Sequence, residues 1–122
     1  MKKITNLLML MACLSMGGCY YDVEEELYGA TTCDTTHTTY SVTISGIIHN
    51  YACLSCHGGA SLQGGFSLQT YADVKAKVND NRLWGAINHA SGFAPMPQGM
   101  YKMSQCDINK IKAWIDAGAP DN

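Results

Sequence analysis

The chain is short of several things, and each shortage narrows its reading. Its early apolar run, Ile4 to Leu14, is brief and interrupted, well under the roughly 20 residues a bilayer-spanning helix needs. Charge is sparse, at 15% of residues with a formal net charge of −2, so no nucleic-acid partner is expected. No internal repeat is visible, and 122 residues suffice for one small domain. There is no second C-x-x-C and no H-x-x-x-H, which leaves any zinc site two ligands short. No βαβ pattern flanks the single C-x-x-C, as a thioredoxin-type redox pair requires. No base paired with a nucleophile suggests a reaction on a bound substrate.

What is present begins with a targeting pattern. Met1-Lys2-Lys3 is a positive start, Ile4 to Leu14 is the apolar segment, and Ser15-Met16-Gly17-Gly18 supplies small residues before Cys19. A secretory signal over residues 1–18 reads this way. Small residues directly before a cysteine also resemble a bacterial lipobox, with Met16 where Leu is commonest. That resemblance implies a lipid-bearing Cys19 and membrane attachment; secretion with a free Cys19 is the alternative. Residues 19–40 then hold Asp22, Glu24, Glu25, Glu26 and Asp34, many threonines and no Lys or Arg. Such a stretch cannot build a core and is expected to be a tether, with His37 a solvated part of it.

The organising motif is Cys53-Leu54-Ser55-Cys56-His57. C-x-x-C-H is the attachment signature of a c-type haem: two thiols at this spacing add to the two vinyl groups of the porphyrin, and the next His becomes the proximal axial ligand. One motif implies one covalent haem c. The cysteines then divide without remainder. Cys13 leaves with the signal, Cys19 carries lipid, and Cys53 and Cys56 carry haem. Cys33 and Cys106 are left, and an exported pair in an oxidising compartment suggests a disulfide.

Helical signals surround the motif. Ile44, Ile47, Ile48 and Tyr51 fall at i, i+3, i+4 and i+7, with Ser41 or Thr43 as N-cap. The β-branched run 42–48 also permits a strand, but the motif at its end favours one helix over residues 41–56. Irregular backbone is expected from Gly58 to Thr70, with Leu62, Phe66 and Leu68 facing the porphyrin or the core. Thr70 caps a helix through Tyr71, Val74 and Val78, and Asn79-Asp80-Asn81 breaks it. Residues 82–89 read as a short helix burying Leu83, Trp84 and Ile87. Residues 91–103 form a loop carrying Met96, Met100 and Met103. Ser104 opens the last helix with Asp107 in capping-box style. Its stripe is Ile108, Ile111 and Ile115 with Trp114, and Gly118 and Pro120 end it.

In this order, a helix with C-x-x-C-H, Met96-Pro97 and a final helix with Trp114-Ile115 and Gly118-Ala119-Pro120 resemble the class I c-type cytochromes over residues 41–122. Residues 114–119 look like the small cytochrome c domains of bacterial lipoproteins. The resemblance implies an all-α fold whose first and last helices cross around one covalently held haem, with His57 and a methionine as axial ligands. Met96, between Pro95 and Pro97, is the expected distal ligand. Met100 is its main rival, and His89 and Met103 are the lesser alternatives. The function expected is electron transfer between redox proteins by a monomer at the bacterial envelope. The anchor at Cys19 would place it on a membrane, the outer one by preference, with the haem domain in the periplasm or at the cell surface. The alternative is a haem enzyme or gas-binding module, such as a small peroxidase, with a labile or absent distal Met.

Overall fold

The computed structural model describes residues 32–60 and 62–122. The signal 1–18, Cys19 and the tether up to residue 31 lie outside the described residues. Among those described there are helices and no strand, in agreement with the all-α expectation. A π-helical turn, Tyr40–Ile44, runs directly into α1, Ser45–Asn50. Next come α2, Leu54–His57, α3, Tyr71–Asn79, α4, Arg82–Ile87, and α5, Gln105–Asp116.

One core joins the two ends of the domain. The i, i+3, i+4 stripe predicted for the first helix is buried as Ile44, Ile47 and Ile48, and packs in one cluster with Ile108, Ile111 and Trp114 of α5. Ile44, Ile108, Trp114 and Val74 of α3 are the largest fully buried side chains, each worth about 1.5–3 kcal/mol of apolar burial. Leu83, Trp84 and Ile115, expected inside, are only partly buried against this cluster. The Tyr40 ring lies against Tyr71 and Trp114, with centroids 5.1 and 5.9 Å away.

The start of the first helix is capped from the far end of the chain. Neither Ser41 nor Thr43 is its N-cap: that position is Thr39, which makes no side-chain cap bond. The free N–H groups of Tyr40 and Ser41 donate instead to Asn122 Oδ1 and to the Asn122 carbonyl, at 2.9 and 2.8 Å. Orphan donors at a helix start need acceptors, and here tertiary structure supplies them. The compact unit spans Cys33–Asn122, so residues 33–40 of the expected tether belong to it. Cys33 and Cys106 form a disulfide across a separation of 73 residues, as the cysteine arithmetic suggested. Closing a loop that long contributes about 4 kcal/mol in the chain-entropy account.

The predicted caps on the later helices are present. Thr70 and Asp73 make a reciprocal capping box on α3. The Ser104 side chain accepts from the Asp107 N–H on α5, but the return arm differs from a capping box. The Ser104 N–H donates to the Tyr51 hydroxyl at 2.9 Å, and that hydroxyl donates to Asp107 Oδ2 at 2.9 Å. Tyr51 thereby ties the end of α1 to the start of α5. Past α5, Tyr71 Oη donates to the Ala119 carbonyl and Trp114 Nε1 to the Pro120 carbonyl, at 2.8 and 3.0 Å.

Candidate functional site

The helix expected over residues 41–56 is broken before the cysteines. Cys53 N–H donates to Ile48 O and Ala52 N–H to His49 O, at 3.1 and 2.9 Å, with Ala52 at φ 51°. This is a Schellman ending with alanine where glycine is usual. The same pair of bonds closes α4 with His89 left-handed, and α5 with Gly118. Only the last was legible, because only there does the sequence place a glycine. After the break, α2 is a single turn. It sets Cys53 and Cys56 three residues apart on one side and buries His57, which is 6% exposed.

The loop after α2 is strapped back onto it. Gln63 N–H donates to the Cys56 carbonyl and Leu68 N–H to the His57 carbonyl, at 3.0 and 2.8 Å. The strap encloses the imidazole. The Phe66 ring stacks on it with centroids 4.3 Å apart and planes 23° from parallel. The Phe66 carbonyl lies 3.4 Å from His57 Nδ1. A carbonyl only accepts, so in a neutral imidazole this contact is met by the tautomer with the proton on Nδ1 and the lone pair on Nε2. Gly64 comes so close that a Cβ there would fall inside the imidazole. Contrary to expectation, Leu62 is exposed and does not line the cavity that follows.

Cys53, Cys56 and His57 face a cavity of about 620 Å³, within the range of cofactor sites. Its walls are mainly apolar and include Ile47, Ile48, Phe66, Leu68, Ile87 and Ile111. Met96, Met100 and Met103 from the 91–103 loop also line it. Among the described residues, Lys77 and Arg82 are the only Lys or Arg on its wall. Among the described residues, no three His, Cys, Asp or Glu side chains gather as a metal cluster. Cys53 and Cys56 are free thiols. Burial pushes the Cys53 thiol above its ordinary range.

The three methionines differ in setting. Met103 is 5% exposed and belongs to the core, whereas Met100 is 62% exposed. Met96 is half-buried with its backbone held at both ends: its N–H donates to Ala86 O and its carbonyl lies against His89 Nε2, both at 3.0 Å. His89 does not line the cavity. It fastens the Met96 backbone, a role that sequence reasoning missed, because a helix-ending His carries no signal of which carbonyl it will reach.

The donor set and the space fit a covalently attached porphyrin. Two thiols and one imidazole with a free Nε2 lie on one wall of an apolar cavity, and thioether side chains reach the same cavity from the methionine loop. Residues 53–98 match the family described as planctomycete cytochrome C. No curated protein and no solved structure matches the chain. The matched span opens on Cys53 and closes one residue past Met96-Pro97, so it takes in the cysteine motif and the start of the methionine loop. The chain thus contains a cytochrome c-like domain.

Proposed function

We propose that this cytochrome c-like domain is a single-haem electron carrier, with haem joined to Cys53 and Cys56, His57 as proximal ligand and Met96 as distal ligand. The observation that carries the proposal is the cavity itself, which Cys53, Cys56, His57 and Met96 all line. When bound, the haem supplies a one-electron ferric–ferrous couple. The protein's part is to hold and shelter it. His57 presents Nε2 while the Phe66 carbonyl engages Nδ1, which fixes the ring's tautomer and orientation. The apolar wall keeps water away, and a thioether ligand favours the reduced state. Met96 is preferred to Met100 because its backbone is already fixed at both ends, so less freedom is lost when its sulfur is held.

The lipobox-like Cys19, the signal before it and the acidic stretch after it support a setting at the bacterial envelope. There the domain, as a monomer on a lipid anchor, exchanges electrons in brief encounters with redox proteins. Expression in a host that ligates c-type haem tests the proposal. The purified protein should carry one covalent haem per chain. The oxidised form should show the weak near-infrared sulfur-to-iron band, lost in Met96→Ala and kept in Met100→Ala. Absence of covalent haem refutes the function. Loss of the band in Met100→Ala alone moves the distal ligand. Rapid carbon monoxide binding by the unaltered ferrous protein would favour the enzyme or gas-binding alternative. Cys19→Ser should move the protein from the membrane to the soluble fraction.

A further inference from the structure

We infer that Lys77, acting through the ring of Phe66 on His57, raises the reduction potential of this domain; the inference rests on the haem reading above. Three side chains form a column. Lys77 Nζ lies 5.0 Å from the Phe66 ring centroid, and that ring stacks on the His57 imidazole at 4.3 Å. Lys77 sits on α3 one helical turn after the buried Val74, on the cavity side, and its side chain is 19% exposed. Phe66 is brought in by the strapped loop that also supplies the carbonyl to Nδ1. Neither residue has a motif to announce it, because the column joins parts of the chain that only the fold brings together.

The physical argument is one of charge. The oxidised member of the couple carries one more positive charge than the reduced member, and Lys77 forms and breaks no bond when the electron arrives. A fixed cation nearby therefore disfavours the oxidised form. The two contacts together put the ammonium within about 9 Å of the imidazole centroid, where a unit charge in a surrounding of effective dielectric about 20 still acts appreciably. The intervening ring is a polarisable body facing the cation with its negative π-cloud. Asp80 opposes the effect: its carboxylate is 2.8 Å from Lys77 Nζ and 3.7 Å from Arg82 Nε. Lys77 and Asp80 should thus pull the potential in opposite directions, which ordinary damage to the fold would not do.

The test is a redox titration of the haem-loaded protein and its variants, each first checked for covalent haem and a His-ligated spectrum. Lys77→Met should lower the equilibrium constant for reduction about three- to tenfold, tenfold being about 59 mV for a one-electron couple. Lys77→Arg should keep the parent value, and Asp80→Asn should raise it. In a Phe66→Leu background, Lys77→Met should have a clearly smaller effect. No shift in Lys77→Met, or shifts of one sign in Lys77→Met and Asp80→Asn, overturns the inference. An undiminished Lys77→Met shift in the Phe66→Leu background also overturns it, since the charge would then act without the column. If the parent protein carries no covalent haem, the haem reading itself fails. If haem is bound and the potentials do not move as stated, only the inference fails.

Discussion

Gly64 and Gly65 are neighbours that must be glycine for different reasons, and substituting each by alanine separates the proximal wall from the backbone that carries it. At Gly64 a Cβ would overlap the Cε1–Nδ1 edge of His57, whereas at Gly65 a Cβ meets nothing within 4 Å. Gly65 instead has φ 73°, where a side chain strains the backbone by about 1–2 kcal/mol. In Gly64→Ala the imidazole must retreat by about an ångström or more to regain ordinary contact. It is hemmed in by the Phe66 ring at 4.3 Å, so the cost is that of overpacking, about 1–3 kcal/mol. The totals are similar but the consequences differ. Gly64→Ala should disturb the position of Nε2, giving less covalent haem per chain and an altered spectrum in whatever haem is bound. Gly65→Ala should show a lower urea midpoint with normal haem content and spectrum. Covalent haem staining, the reduced absorption spectrum and urea unfolding of both proteins measure this. A Gly64→Ala protein with the parent's haem content and spectrum would refute the account of the proximal wall.

Four further outcomes follow from named contacts. Tyr51→Phe leaves the Ser104 N–H and the Asp107 carboxylate without their shared partner and should cost about 1–3 kcal/mol; an unfolding free energy within about 0.5 kcal/mol of the parent would contradict that. Replacing both Cys33 and Cys106 by Ser should lower stability by about 4 kcal/mol, and adding reductant to the parent should reproduce most of the loss. Ala52→Gly relieves the left-handed alanine that ends α1 and should stabilise by roughly 0.5–1 kcal/mol, read as a higher urea midpoint with unchanged slope. The Lys77 side chain, and then the Arg82 N–H, hold the Asp80 carboxyl below its ordinary value of 3.8. A carboxyl lowered in the folded state contributes stability that is present above its unfolded value and lost as pH falls through the folded one. The parent should therefore lose stability more steeply than Lys77→Met on acidification below about pH 4; equal slopes in urea titrations across that range would count against the pair.

Much of this domain was legible because its signals are local. The 3.6-residue spacing of Ile44, Ile47 and Ile48, and of Ile108 and Ile111, marks buried helix faces wherever the helices end up, although of the two residues that complete the second stripe Trp114 is fully buried and Ile115 only partly. Thr70, Ser104 and Gly118 act within a few residues of themselves, so their capping and stop roles could be read directly. Cys53, Cys56 and His57 are bound by the covalent geometry of one short motif, and their placement on one cavity wall needed no distant partner. What stayed hidden depended on distant partners or on a choice between near-equal local conformations. The left-handed Ala52 broke the expected helix because its neighbours' hydrogen bonds outweigh alanine's modest preference against that conformation. Asn122 took the capping role expected of Ser41 or Thr43, since the two ends of the folded domain lie against each other. Only the fold turned Leu62 outward, set Lys77 over Phe66, brought the Phe66 carbonyl to Nδ1 and turned His89 into a fastener for Met96. Sequence determines which residues can bond, attach or pack. Which of them meet across 10 or 70 residues is decided by the packing of the whole core, where each contact depends on all the others being made.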